Sequence, residues 1–223
     1  MTNPAKHIVV LLLLLSATGL YAQPRLSRAE HYVGVHGGVM ASMMSFSPTV
    51  EGTDQVLKTV LLSGNGGIRY RYVKHKYFGL QVEANYMQRG WREAWQTETE
   101  QGTYARRLDY IETPFLMHLY FGKQHRGFFN LGPQIGYCVH ERHQGNRHPT
   151  EQAQYAAIDN RFDWGLAAGA GYYARTRQSG TFEFEVRFNY SLGDTFSNRK
   201  AAYFNRSAAM NLSLNLAYLW EIK

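Results

Sequence analysis

The clearest pattern in the chain is a strict alternation of two kinds of residue over positions 181–192. One parity is aromatic or aliphatic throughout, and the other carries Glu183, Glu185 and Arg187. Successive side chains of a β-strand point to opposite faces, so this period of two predicts a strand with one apolar and one charged face. Such a strand suits a soluble sheet over an apolar core, or a membrane barrel with an apolar outer wall.

Seven further segments alternate in the same way, and the links between strands are alternately short and long. The segments are 31–43, 59–73, 77–91, 104–121, 127–140, 161–175 and 206–222. The long links are 44–58, 92–103, 141–160 and 193–205. Outer-membrane barrels combine tight periplasmic turns with long outer loops, and about nine to eleven strand residues cross a bilayer at a tilt. The predicted fold is therefore all-β, an eight-stranded antiparallel up-and-down transmembrane β-barrel with periplasmic termini.

The start of the chain has the pattern of a secretory signal peptide. Lys6 and His7 precede an apolar run at 8–15, and the small residue Ala22 closes the segment. The run is too short to span a bilayer. We expect a signal peptide at 1–22, an outer-membrane β-barrel domain at 23–223, and integral placement in the cell outer membrane.

Composition narrows the classes of protein further. Mean hydropathy is −0.40, and no segment after the first twenty-two residues is an unbroken apolar stretch of transmembrane length. Only helices and closed barrels satisfy the backbone in lipid, so a membrane protein of this composition has to be a barrel. The chain has 24 Lys+Arg against 17 Asp+Glu, but they form no basic block or nucleic-acid motif, so we expect no nucleic-acid partner.

Two soluble architectures are alternatives. A lipocalin-type barrel also has eight up-and-down strands, but it fills its interior with apolar side chains and keeps charges outside. A β-sandwich would have loops of more even length. The loop asymmetry, the alternation and the leader pattern together favour the membrane barrel.

In a membrane barrel the charged parity would point into a narrow lumen. The interior of an eight-stranded barrel is just wide enough to be filled by side chains, and buried charges are costly unless paired. Glu112 is expected to pair with an arginine of a neighbouring strand. We predict a structural lumen charge network of Arg69, Glu83, Arg89, Glu112, Glu183, Glu185 and Arg187. The alternative is a small gated channel in which Glu112 and Arg187 form part of the constriction.

Arginines are frequent next to the long links. The planar guanidinium suits bidentate contact with phosphate, so Arg106 and Arg107 are expected to contact phosphates of outer-membrane lipid. The alternative is that such arginines only keep the loops soluble.

No residues of the chain match the pattern of a catalytic or cofactor site. His140, Glu141, His143 and His148 share one long link, but their spacing matches no structural zinc motif. We expect no catalytic residue, no metal and no cofactor.

One stretch resembles a known family. The sequence YIETPFLM at 110–117, with YFG at 120–122, is similar to the Tyr-Leu-Glu-Ile-Pro-Leu-Leu stretch of the PorT-like outer-membrane β-barrel proteins of Bacteroidetes. GPQIG at 132–136 is similar to the glycine-rich strand that follows in that family. The resemblance implies an eight-stranded outer-membrane barrel, but no single activity, because only some members serve the type IX secretion system.

The expected function is that of an integral barrel with a side-chain-filled polar lumen and a structural, interaction or porin-like role. An accessory barrel of the type IX secretion system is the alternative, and a small-solute porin or a lipid-modifying enzyme are two others. The expected partners are outer-membrane lipid and the barrel-insertion machinery, with secretion-system components under the alternative.

Overall fold

The fold is a single sheet of long strands. The computed structural model describes residues 25–48, 57–96, 100–122, 125–147, 155, 157–176, 180–196 and 204–222. Their strands are β1 Arg25–Pro48, β2 Leu57–Thr59, β3 Leu61–His75, β4 Phe78–Gln96, β5 Gln101–Gly122, β6 His125–Gly145, β7 Phe162–Thr176, β8 Gly180–Ser191 and β9 Phe204–Ile222. Within these ranges, no helix has the length and apolar character needed to cross a membrane.

The eight long strands close into a ring. Each pairs antiparallel with the next, in the order β4-β3-β1-β9-β8-β7-β6-β5, and β5 pairs back onto β4. The short β2 adds to β4 beyond the end of the β3 pairing. The predicted eight-stranded antiparallel up-and-down barrel is therefore confirmed. The predicted signal peptide, 1–22, lies outside the described residues.

Three of the four predicted long links are shorter than expected, because the strands continue beyond the alternating segments. Gln96 pairs with Gln101, so β4 and β5 are paired over most of the link predicted at 92–103. β1 runs on to Pro48 and β6 to Gly145. Lipid imposes apolar alternation only within the bilayer, whereas backbone groups still gain from pairing outside it. We call this end of the barrel the loop end, and the end with residues 25 and 222 the terminal end.

The outer wall is apolar and the interior polar, as the two parities require. On β8, Phe182, Phe184, Val186 and Phe188 are exposed on the outer surface, whereas the alternate residues are buried. Large outward aromatic side chains occur toward both margins of the apolar wall, namely Tyr70, Tyr86, Tyr137, Trp164, Tyr172 and Trp220. This surface has the character of a lipid-facing wall with aromatic girdles.

Candidate functional site: the charged interior of the barrel

The inward parity of the strands places the charged side chains in the lumen. Arg69 and Arg71 point inward from β3, and Glu183, Glu185 and Arg187 point inward from β8. β1 and β9 lie between β3 and β8 in the ring, so these groups meet across the interior and not along one strand pair.

The first charge layer joins three arginines and three glutamates. Its members are Arg69, Arg71, Glu83, Glu183, Glu185 and Arg187, with side chains at most 4% exposed. Arg69 contacts Glu183 at 2.8 Å and Glu185 at 3.3 Å. Arg71 donates to both carboxylate oxygens of Glu183, one of the two bonds at 2.9 Å. The formal charges of this layer cancel, so the attraction between the ions can offset the cost of removing them from water.

Arg187 makes the longest connection in this layer. It donates two hydrogen bonds to Glu83, of 2.5 and 2.8 Å, and also contacts Glu185 at 2.8 Å. β8 and β4 are four places apart in the ring of eight, so the bidentate pair spans the lumen from wall to opposite wall. Paired guanidinium and carboxylate planes of this kind are among the stronger ionic contacts in proteins.

A second charge layer lies nearer the loop end. Arg89 contacts Glu112 of the neighbouring β5 and lies 2.5 Å from Asp163 on β7. Its guanidinium also lies 4.7 Å from the centre of the Tyr110 ring. Asn189 donates to Glu112 at 3.1 Å, and Ser191 donates to Asp163 at 2.7 Å. One arginine thus holds two carboxylates from different walls.

Apolar clusters occupy the interior on either side of these charges. The terminal-end cluster consists of Tyr32, Val73, Tyr120, Phe128, Tyr173, Ala217 and Leu219. The loop-end cluster consists of Met44, Trp91, Leu108, Tyr110, Cys138, Phe196 and Ala209. Phe196 follows β8 and packs edge-on against Trp91 with ring centres 6.4 Å apart. Apolar side chains therefore occupy the described interior on both sides of the charge layers.

The seven residues predicted for the network all lie in these two layers. The predicted network did not include Arg71 and Asp163, although both lie on the polar parity of their strands and that parity indicates an inward side chain. The sequence did not indicate which charges would share a layer, because several of the partners are more than a hundred residues apart, as are Arg69 and Glu183.

The structure separates the two arginines predicted to contact lipid. Arg106 points into the barrel, is fully buried, contacts Glu141, and lies 5.5 Å from the centres of the Trp91 and Phe196 rings. The prediction is wrong for Arg106, because adjacent residues of a strand face opposite sides and only one can face lipid. Arg107 is half-buried on the outer side, so its lipid contact stays a prediction.

The histidine-rich link forms a small polar cluster at the loop end. His143 accepts or donates a 2.7 Å hydrogen bond with Tyr104 and lies 2.9 Å from Glu141. A register shift in the β5–β6 pairing near Tyr110 places His140 opposite the outward Asp109, away from this cluster. His148 lies outside the described residues. In the part of the chain that the structure describes, no three acidic, His or Cys side chains are arranged to hold a metal ion.

Comparison with known proteins identifies a family. The model of the family described as outer membrane protein β-barrel domain matches residues 21–197. The comparison with curated proteins gave no match.

Several solved barrels are similar in overall layout. OprG from Pseudomonas aeruginosa is 12% identical, over 86% of this chain and 97% of that one, with a TM-score of 0.49. Outer Membrane Protein W of E. coli is 11% identical, over 87% and 100%, with a TM-score of 0.44. Ail, the attachment invasion locus protein of Yersinia pestis, is 12% identical, over 86% and 99%, with a TM-score of 0.41.

Proposed function

The chain belongs to the outer membrane protein β-barrel domain family, and from this premise we propose that its closed interior serves structure and interaction and not solute passage. It is an integral outer-membrane barrel, so its outward apolar wall faces lipid. In this role the charge layers join the walls of the barrel, and the loop end is the surface that contacts partners.

The bidentate pair between Arg187 and Glu83 carries this proposal. It crosses the lumen from β8 to β4, and both side chains are at most 4% exposed. A solute would have to displace this pair and the apolar clusters on either side of it. Separating buried partners without replacement costs several kcal/mol, a large barrier to thermal opening.

Conductance of the purified barrel in planar bilayers tests the proposal. The wild-type protein is expected to insert without producing stepwise unit conductance. The double variant Glu83→Ala with Arg187→Ala removes the cross-lumen pair but keeps both apolar clusters, so its conductance should exceed that of wild type only slightly. Phe184→Ala, an outward change on the same strand, is the matched control and should behave like wild type. Reproducible conductance steps from the wild-type barrel would contradict a closed interior.

As the alternative, we propose an accessory role in the type IX secretion system. Support comes from the resemblance of residues 110–136 to PorT-like proteins of Bacteroidetes, a stretch that spans the β5–β6 hairpin and includes the inward Glu112. Deleting the gene in its own host and comparing proteins in the culture fluid tests this role. Loss of secreted cargo, restored by the wild-type gene, supports it. Unchanged secretion with intact membrane assembly excludes it.

We also propose that the termini are periplasmic and that the barrel-insertion machinery recognises the last strand. The alternation of β9 continues to its end, with Trp220 and Ile222 both exposed. An epitope tag placed between residues 149 and 152 should be reached by antibody on intact cells, whereas a tag after residue 223 should not. The reverse result would invert the proposed orientation.

A further inference from the structure

A group of arginines stands on the outer wall near the loop end, outside the charged interior. Arg107 is half-buried on β5, and Arg142 on β6 has a side chain 51% exposed. Arg92 is exposed on the outward parity of β4. Arg142 contacts the buried carboxylate of Asp109 at 2.5 Å. We call Arg92, Arg107, Arg142 and Asp109 the outer arginine patch.

The strand register forces like charges together in this patch. Arg107 pairs directly with Arg142 across β5 and β6, and it is opposite Gly90 on β4, two residues before Arg92. Like charges at directly opposed positions of a sheet destabilise it, and diagonal neighbours lie about 7–8 Å apart. Three arginines against one aspartate leave a formal charge of +2. The Arg107 Nε is buried and has no hydrogen-bond partner in the described structure.

The position of the patch along the strands indicates which ligand it can reach. Tyr86, Ile111 and Tyr137 stand side by side on β4, β5 and β6, and all three are exposed. Toward the loop end, the next outward residue of β5 is Asp109 and the one after it is Arg107. Each outward step covers about 6.6 Å, two residues of about 3.3 Å each, so a tilted strand brings these side chains to the level of the lipid headgroups.

Arg142 is linked to this aromatic margin. Its guanidinium donates to the Tyr86 hydroxyl at 3.5 Å while it contacts Asp109. The side chain therefore extends along the wall between the charged patch and the tyrosine. Guanidinium groups bind phosphate oxygens through two parallel hydrogen bonds, and the contact is strengthened where water is partly excluded.

We propose that the outer arginine patch binds the phosphate of a glycolipid headgroup in the outer leaflet. The phosphate would relieve the repulsion between Arg107 and Arg142 and supply the acceptor that the buried Arg107 Nε lacks. The inference rests on the proposed orientation, with the loop end outside. The arginines proposed to contact lipid are thus Arg92, Arg107 and Arg142, and Arg106 is not among them because it lies in the lumen.

The test measures lipid binding to the folded barrel in neutral detergent. The midpoint of thermal unfolding is followed as diphosphoryl lipid A is added, because a ligand that binds only the native state raises it by mass action. The patch variant is Arg92→Gln with Arg107→Gln. Arg142 is kept, since its removal would leave the Asp109 carboxylate buried without its partner. The matched control is Lys74→Gln with Lys76→Gln, which removes the same charge from exposed positions at the terminal end.

Wild type and the control should be stabilised at the same lipid concentrations, while the patch variant should need about tenfold more lipid or show no shift. Lipid A stripped of its phosphates should give a much smaller shift with wild type, as should inorganic phosphate at equal phosphate concentration. Equal stabilisation of wild type and the patch variant overturns the proposal, as does full stabilisation by either phosphate-free lipid or free phosphate. Conductance of the same preparations reports separately on whether the interior is closed.

Discussion

At the scale of single residues, the face of the strand on which a side chain lies decides its role. Arg106 and Arg107 are neighbours in the chain, yet one is fully buried against Trp91 and Phe196 and the other is on the outer wall. Arg89 shows that the stability of a buried charge depends on its ion-pair partners. It contacts both Glu112 and Asp163, so each carboxylate relies on the same cation.

Arg89→Gln should destabilise the barrel by about 3–5 kcal/mol, because it leaves two buried carboxylates without their shared cation. Glu112→Gln should cost less, since Arg89 keeps Asp163 as a partner. Urea unfolding in lipid vesicles, followed by heat-modifiable gel mobility, measures both free energies. A larger cost for Glu112→Gln than for Arg89→Gln would show that the charges are not shared in this way.

At the scale of the strand, alternation sets the contrast between lipid face and lumen face. Val186 lies midway along β8, between Ala170 of β7 and Leu214 of β9, and points outward. Its neighbours on the same strand, Glu185 and Arg187, are in the first charge layer. One strand therefore contributes to the apolar wall and to the ionic interior at once.

Val186→Arg should cost about 2–4 kcal/mol of folding stability in vesicles, because it places a cation at mid-bilayer on the lipid face. Thr103→Arg, an exposed position on β5 near the loop end, is the control and should be close to neutral. Equal stability of Val186→Arg and wild type would mean that this face of β8 is not in lipid.

The backbone conformation at position 90 of β4 requires glycine. The φ of Gly90 is 147°, a backbone conformation that residues other than glycine rarely adopt. Ser42 accepts from its amide at 3.0 Å and donates to its carbonyl at 3.1 Å. Gly90→Ala should cost at least about 1–3 kcal/mol, through backbone strain and because the added methyl would collide with the carbonyl oxygen of Arg106. Gly37→Ala, where an added methyl meets only Asn65 O at 3.7 Å, is the control expected to be tolerated. Similar vesicle unfolding curves for both variants would contradict the strain argument.

At the scale of the whole molecule, the interior charges hold opposite walls together. Arg187 and Glu83 are separated by 104 residues in the chain and by half the ring of strands. Ladder hydrogen bonds join each strand only to its neighbours, so cross-lumen ion pairs restrain the shape of the cross-section in a way that the ladder does not.

A double-mutant cycle on this pair should reveal coupling of about 1–3 kcal/mol. Arg187→Gln alone leaves the Glu83 carboxylate with the amides of Gln81 and Asn85 and one distant cation, Arg69 at 3.5 Å. The single variant should therefore be less stable than Arg187→Gln with Glu83→Gln. Additive effects in vesicle unfolding would mean that the two side chains do not act as a pair.

The sequence by itself determined the barrel and its two faces. A period of two, read over positions 181–192 and seven other segments, requires no knowledge of distant contacts, because it reflects the geometry of the extended chain. The seven network residues could be predicted for the same reason, from their parity and from the narrow interior of eight strands. The resemblance over residues 110–136 pointed to PorT-like barrels, and the family match over residues 21–197 shows the broader class, an outer-membrane β-barrel.

Only the tertiary structure decided which charges meet and where each strand ends. The pairing of Arg69 with Glu183, or of Arg187 with Glu83, depends on ring closure between strands far apart in sequence. The continuation of β4 to Gln96 depends on its partner β5, because ladder hydrogen bonds form between backbones whatever the side chains are. The outer arginine patch likewise arises from register, since Arg107 and Arg142 become neighbours only when β5 and β6 pair.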